Sequence, residues 1–208
     1  MNEKIVYGRE AGKTTYLLNA IKQKRNEGTN IVVLDSATEH EEKSLLKKIE
    51  QTYNNTITFD LKDERQIVLN KVGVDNFIMN YKKYYPYNQI IENRDKIICF
   101  DLSYFLELGH DIYDETNDIK LYKYYRELYN TLAEQIILVL ILMERYDIID
   151  NTVVVMDEIE LPKNNNDIIS LQEDLSFLVS VHPENAFGSF YESFDNAKFK
   201  PYVKRKEW

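Results

Sequence analysis

Short apolar segments recur along the whole chain, and stretches with helical periodicity separate most of them. We predict six β-strands from these segments, at residues 4–8, 30–38, 56–61, 96–103, 151–161 and 175–183. Several are apolar at nearly every position, which is typical of strands that are covered on both faces. Strands that alternate with helices over the full length predict an α/β fold, with a mostly parallel, doubly wound sheet and helices on both faces.

The helices are predicted from apolar residues at helical spacing, at residues 13–27, 39–51, 63–84 and 119–147. Gly28 follows the first of these segments and is expected to end that helix. The second half of the last helix is almost entirely apolar, so it is expected to lie deep in the core. Two stretches are expected to be irregular: the polar residues that follow Pro86, and the acidic residues 110–118.

The chain of 208 residues is long enough for one domain with a substantial core. We assign residues 1–197 to that domain and residues 198–208, which are rich in Lys and Arg, to a basic C-terminal tail. The single cysteine, Cys99, lies in an apolar run and is expected to be a buried thiol, which fits a reducing, cytoplasmic location. The N-terminus lacks the pattern of a signal peptide. The longest apolar run, residues 136–143, is too short to span a bilayer.

The formal net charge is −9. A protein that covers nucleic acid over a broad face is usually basic, so this balance argues against that class. Any contact with DNA is therefore expected to be local, through the basic tail, or to be made by an assembled ring.

Residues 7–15, YGREAGKTT, stand between the first predicted strand and the first predicted helix and are similar to a phosphate-binding loop. Such a loop turns backbone N–H groups and a helix N-terminus toward phosphates, while its lysine reaches the outer phosphates and the next hydroxyl binds Mg²⁺. We assign Lys13 a catalytic role, Thr14 a role in holding Mg²⁺, and contacts with ATP to Gly8, Arg9, Glu10, Ala11, Gly12, Lys13, Thr14 and Thr15. The loop is one residue shorter than the usual pattern. The alternative is a helix N-terminus with two incidental glycines.

A phosphate loop needs a carboxylate that holds Mg²⁺ and another that positions the attacking water. Asp157 and Glu158 follow the apolar run VVVM, and we assign Asp157 to the metal and Glu158 to catalysis. Asp101 and Asp35 end comparable apolar runs and are weaker candidates. For each of these acids the alternative is a solvent-facing side chain at the end of a strand.

The sixth predicted strand ends near Ser180 and His182, and either side chain could sense the γ-phosphate. We place His182 among the residues that contact ATP, although a lone histidine is more often an ordinary strand-end residue. His40 and His110 have no partner that suggests a metal site, and one cysteine makes a structural zinc site implausible.

The segments GREAGKTT, VVLD, IICFDLS, the long apolar helix and VVVMDE follow one another within residues 4–182. This order resembles the FtsK–HerA superfamily of P-loop ATPases, which includes conjugation ATPases, zonula-occludens-toxin-like phage assembly proteins and viral genome-packaging ATPases. The resemblance implies a RecA-like core, a homo-oligomeric ring, and ATP-driven movement of DNA or a protein polymer. Two features depart from the family: the short loop, and His182 where the family generally has glutamine. No arginine stands out as one that acts across a subunit boundary; Arg65, Arg126 and Arg145 are all candidates.

Four functions are therefore compatible with the sequence. The leading hypothesis is an ATPase motor for DNA translocation, genome packaging or secretion. The alternatives are a nucleotide-binding scaffold that does not hydrolyse ATP, a DNA-binding accessory protein that uses its basic tail, and a small-molecule kinase. The kinase is the weakest of them, because the chain shows no arginine-rich lid.

Overall fold

Parallel strands form one sheet at the centre of the protein. The computed structural model describes residues 2–6, 12–36, 44–62, 73–157, 159, 161, 172–181, 189–192 and 194–196. The strands are β1 (Glu3–Val6), β2 (Asn30–Asp35), β3 (Thr56–Asp60), β4 (Ile97–Asp101), β5 (Thr152–Asp157), β6 (Ser176–Val181) and β7 (Asp195–Asn196). Their order in the sheet is β3-β4-β2-β5-β6-β1-β7, and neighbouring strands are parallel. The predicted α/β fold is confirmed.

Helices occupy most of the connections between the strands. They are α1 (Lys13–Asn26), α2 (Leu45–Thr52), α3 (Val74–Asn80), α4 (Tyr87–Glu92), α5 (Ser103–Thr116), α6 (Ile119–Arg145) and α7 (Ser189–Glu192). Short 3₁₀ turns add Tyr81–Lys83 and Gln172–Asp174. The prediction that Gly28 ends the first helix is confirmed, because Gly28 follows α1 with φ of 78°.

The strand β2 shows why the core divides into two clusters. Successive side chains of a strand point to opposite faces of the sheet. Ile31 and Val33 belong to a cluster with residues of α1 and α2, whereas Val32 and Leu34 belong to a cluster with residues of α3, α4, α5 and α6. Helices thus pack against both faces, which explains why the central strands are apolar at almost every position.

The long helix α6 was predicted at nearly its observed length. Its residues from Leu132 to Met143 are buried at almost every position. This confirms that the apolar half of the helix lies deep in the core. Among the described residues, no helix is both long enough and apolar enough to cross a membrane.

The prediction of an irregular segment at residues 110–118 was wrong, because α5 runs through Thr116. Its acidic side chains Asp111, Asp114 and Glu115 are exposed to solvent. The opposite side of the helix packs closely on α6: a Cβ atom added to Gly109 would lie 3.3 Å from Cβ of Tyr125. Contacts with the next helix, which the composition of residues 110–118 does not reveal, therefore stabilise α5.

The prediction of a break after Pro86 was also wrong. Pro86 stands immediately before α4, where a missing N–H costs the helix nothing. Tyr87 and Ile90 lie one turn apart and are both buried. The predicted helix at residues 63–84 is confirmed from Val74 to Lys83. Its first part, residues 63–72, lies outside the described residues.

Several predicted strands end earlier than expected. The segments predicted at 30–38, 96–103 and 151–161 end as strands at Asp35, Asp101 and Asp157. An aspartate is therefore the last residue of each of these strands.

Candidate functional site

The carboxyl edge of the sheet carries a row of polar side chains. Asp60, Asp101, Asp35 and Asp157 end four neighbouring strands, and each is the register partner of the next. Ser180 of β6 continues the row as the partner of Asp157. In parallel sheets, ligands bind in the crevice outside these carboxyl ends. Sequence reasoning did not identify Asp60 or this alignment, although the repeated run of apolar residues followed by Asp was the available signal.

The predicted phosphate loop leaves the sheet at this same edge. Strand β1 ends at Val6, and α1 begins at Lys13. Gly8, Arg9, Glu10 and Ala11 lie outside the described residues, as do Glu158 and His182. The described part of the loop is therefore Gly12 together with the first turn of α1.

Gly12 has φ of 84° and ψ of 18°, a left-handed conformation that favours glycine. The chain turns here into a helix whose first internal hydrogen bond runs from the Tyr16 N–H to the Gly12 carbonyl, at 3.0 Å. The amides before Tyr16 have no acceptor within the helix. Gly12 provides no side-chain cap, and the first turn has no acidic residue. This helix end thus retains the partial positive charge that attracts phosphate.

Lys13 and Thr14 stand in that first turn. Lys13 is only 6% exposed, which is uncommon for lysine, and Thr14 is half-buried. Both residues directly follow Gly12, so the left-handed backbone of Gly12 determines the direction in which α1 starts. The predicted order of glycine, lysine and hydroxyl at a helix N-terminus is therefore found in the fold.

Asp157 lies two strands from β1, with β6 between them. Its register partner Ser180 pairs on the other side with Ile5 of β1. Because neighbouring strands are about 4.8 Å apart, Asp157 stands roughly 10 Å across the sheet from the strand that enters the loop. The hydroxyl of Ser180 donates a hydrogen bond to Oδ1 of Asp157.

The backbone that follows Asp157 is held by a second contact. The Tyr191 hydroxyl donates to the carbonyl of Ile159 at 2.7 Å, and both residues are buried. The carbonyl of Tyr191 in turn accepts a hydrogen bond from Nζ of Lys4 at 2.8 Å. Tyr191 therefore connects the segment after β5 to β1. Sequence reasoning missed this residue, because the connection depends on how the chain returns after β6.

Asp35 and Asp101, the weaker candidates, have a different task. Oδ2 of Asp35, which is 3% exposed, accepts a hydrogen bond from the Leu46 N–H at 2.8 Å. Oδ1 of Asp101 accepts one from the Ser103 N–H at 2.9 Å. These carboxylates secure the starts of α2 and α5. They also lie three and four strands from β1, roughly 14 and 19 Å away.

The donor atoms at this edge fit one kind of metal site. Among the described residues, no group of three or more His, Cys, Asp and Glu side chains could hold a metal ion. Mg²⁺ is usually held by one or two carboxylates together with substrate phosphates, and it keeps several waters. Thr14 and Asp157 have the oxygen donors typical of that kind of site, in which Mg²⁺ would be held together with a nucleotide.

The structure also shows the contacts or burial of Cys99, Arg145 and Arg126, which were considered from the sequence. Cys99 is buried, as predicted, and its burial raises the pKa of the thiol, with smaller contributions from Glu50, Asp35 and Asp101. Arg145 forms an ion pair with Asp174 at 3.7 Å. Nη1 of Arg126 donates to the hydroxyl of Tyr122 at 3.2 Å. Arg65 and the basic tail lie outside the described residues.

Comparisons of the chain with protein-family models, with curated proteins and with solved structures find no match. The functional assignment therefore depends on the residues and geometry of this chain.

Proposed function

We propose that the protein is a Mg²⁺-dependent ATPase that binds its nucleotide at the carboxyl edge of the sheet, between β1 and β5. One observation carries this proposal: Lys13 and Thr14 begin a helix at the same edge at which Asp157 ends a strand, and a single strand separates β1 from β5. The helix N-terminus supplies an anion site, and Asp157 supplies a carboxylate that would hold Mg²⁺ together with the phosphates.

The strand order supports a RecA-like core. Additional-strand P-loop ATPases, the class that the chain resembles, have one further strand between the loop strand and the acidic strand. Strand β6 has that position here. The same order disfavours Asp35 and Asp101 as metal ligands, because both stand farther from β1 and accept backbone hydrogen bonds.

Each site residue has a defined role in this proposal. The backbone from Gly8 to Gly12 surrounds the phosphates, and Lys13 neutralises charge on the outer phosphates. Thr14 and Asp157 hold Mg²⁺, which when bound supplies positive charge to the phosphate oxygens. Glu158, directly after Asp157, accepts a proton from the water that attacks the γ-phosphorus as the bond to the ADP oxygen breaks.

ATP binding and hydrolysis by purified full-length protein test the proposal. We expect nucleotide binding at millimolar Mg²⁺ that Lys13→Ala abolishes. Glu158→Gln should keep binding and slow turnover by about 10²-fold or more, the usual contribution of a general base. A wild-type protein that binds no nucleotide with Mg²⁺ would contradict the proposal. Binding without turnover, together with a silent Glu158→Gln change, would instead identify a non-hydrolysing scaffold.

The motor function is proposed on the resemblance to the FtsK–HerA superfamily. It requires a homo-oligomer and DNA or another polymer as the partner. With a net charge of −9, contact with DNA should be local, for which residues 198–208 are the candidate, or should be made by an assembled ring. DNA-stimulated turnover by an oligomer of measured mass supports the motor. A deletion of residues 198–208 that leaves the salt dependence of DNA affinity unchanged would exclude the tail as the contact.

A further inference from the structure

Ser180 is a polar residue in one of the most apolar parts of the sheet. It is 0% exposed, and its chain neighbours Val179 and Val181 are buried as well. A hydroxyl buried without a hydrogen-bond partner would cost stability. Ser180 has a partner in Asp157, the last residue of the adjacent strand, to whose Oδ1 it donates.

The hydrogen bond that Asp157 accepts from Ser180 differs in kind from those that Asp35 and Asp101 accept from backbone amides. Asp35 and Asp101 accept hydrogen bonds from backbone N–H groups of the helices that follow them, α2 and α5. Asp157 accepts a side-chain hydroxyl from the neighbouring strand, and it is less buried than Asp35. A hydrogen bond to one oxygen of a carboxylate restrains rotation of the carboxylate plane, so it also directs the other oxygen.

We propose that Ser180 is a positioning residue, which orients the Asp157 carboxylate for Mg²⁺ that is bound with nucleotide, and that Ser180 does not itself contact the γ-phosphate. This inference depends on the proposed nucleotide site. The expectation that Ser180 senses the γ-phosphate fits the structure less well, because its hydroxyl is buried and directed to the carboxylate. Partners that orient a metal ligand commonly change metal affinity by about 10- to 100-fold when they are removed.

The test measures binding of a fluorescent ATP analogue to full-length protein, with Mg²⁺ titrated from zero. Ser180→Ala is expected to leave the affinity in excess chelator unchanged and to raise the half-saturating Mg²⁺ concentration about tenfold. Ser180→Thr keeps the hydroxyl, so its Mg²⁺ requirement should equal that of the wild type. If Ser180→Ala does not fold, Ser180→Cys replaces the hydroxyl with a weak donor at similar volume.

Thr152→Val is the matched control. Thr152 stands at the opposite end of β5 from Asp157, is also buried, and donates from its hydroxyl to the carbonyl of Asp150 at 3.1 Å. The Thr152→Val substitution removes one buried hydroxyl from the same strand, at a position away from the proposed site. The Mg²⁺ requirement of this variant should equal that of the wild type, whatever the change in unfolding temperature.

A double-mutant cycle shows whether Ser180→Ala acts through Asp157 or through a general change in the protein. In the Asp157→Asn background, Ser180→Ala should cause no further change in Mg²⁺ dependence, because the two residues act as one unit. An additive effect would overturn the inference. An unchanged Mg²⁺ requirement in Ser180→Ala would also overturn it. If turnover were slower while the Mg²⁺ requirement stayed unchanged, the result would indicate that Ser180 contacts the γ-phosphate. A wild-type protein without Mg²⁺-dependent binding would overturn the proposed function first.

Discussion

Asp35 and Asp157 are register partners at the ends of β2 and β5, yet their carboxylates have different partners. Asp35 accepts the Leu46 N–H at 2.8 Å and is almost completely buried, whereas Asp157 accepts the Ser180 hydroxyl and is half-buried. Equivalent positions in the sheet thus have separate tasks. Asp35 secures the start of α2, whereas Asp157 is hydrogen-bonded to Ser180 of β6, the strand next to β1.

Substitution of these two aspartates should therefore separate stability from binding. Asp35→Ala leaves a backbone amide of α2 without its charged acceptor, so the free energy of unfolding should fall by about 2 kcal/mol. Asp157→Asn should lower that free energy much less and should raise the Mg²⁺ concentration required for nucleotide binding by about tenfold or more. Urea unfolding and nucleotide titration on both variants test this. Loss of Mg²⁺-dependent binding in folded Asp35→Ala would contradict the division of tasks.

Tyr191→Phe should remove the buried hydrogen bond to the carbonyl of Ile159. The expected loss in free energy of unfolding is about 1 kcal/mol, the usual net contribution of a neutral hydrogen bond. Tyr146→Phe is the matched control, because Tyr146 is 50% exposed and its substitution should change little. Equal effects of the two substitutions in urea unfolding would show that the contact between Tyr191 and Ile159 contributes nothing.

Gly109→Leu should destabilise the pair of helices α5 and α6. The added side chain must displace Tyr125, whose Cβ would lie 3.3 Å from the new Cβ, and overpacking of this kind costs about 1–3 kcal/mol. Asp114→Leu introduces the same side chain on the exposed side of α5 and is the control. Thermal unfolding followed by circular dichroism compares the two variants. A Gly109→Leu variant as stable as the control would mean that α6 can shift without cost.

Cys99 should be unreactive in the folded protein. Burial raises the pKa of its thiol, so it stays protonated at pH 8 and is also inaccessible to reagents. Above about pH 8.5 the unfolded thiol ionises while the folded one does not. The contribution of Cys99 to stability is therefore full below that pH and declines as pH rises further. Alkylation followed by mass spectrometry, with and without urea, tests the first point. Rapid modification without urea would contradict it.

Much of the fold could be predicted because the relevant signals are local. The apolar runs that became β2, β4 and β5 are short and continuous, and the apolar half of α6 is too long for a strand, so each element could be assigned from its own residues. Residues 110–118 were misassigned from their acidic composition, because the packing of α5 against α6, seen where Tyr125 lies close to Gly109, is not evident from that composition.

The sequence therefore predicted six of the seven described strands and the long helix, and it suggested a phosphate-loop motif with a set of candidate aspartates. It favoured Asp157 over Asp35 and Asp101 because a second acid, Glu158, follows Asp157, but it could not show how far each aspartate lies from β1. The order β2-β5-β6-β1 shows this separation, since it places Asp157 two strands from β1 and leaves Asp35 and Asp101 farther away. The contacts of Ser180 with Asp157 and of Tyr191 with Ile159 are likewise evident only from the order of the strands and from the path of the chain after β6. Both depend on how helices and strands distant in sequence pack together, and no local pattern records that packing.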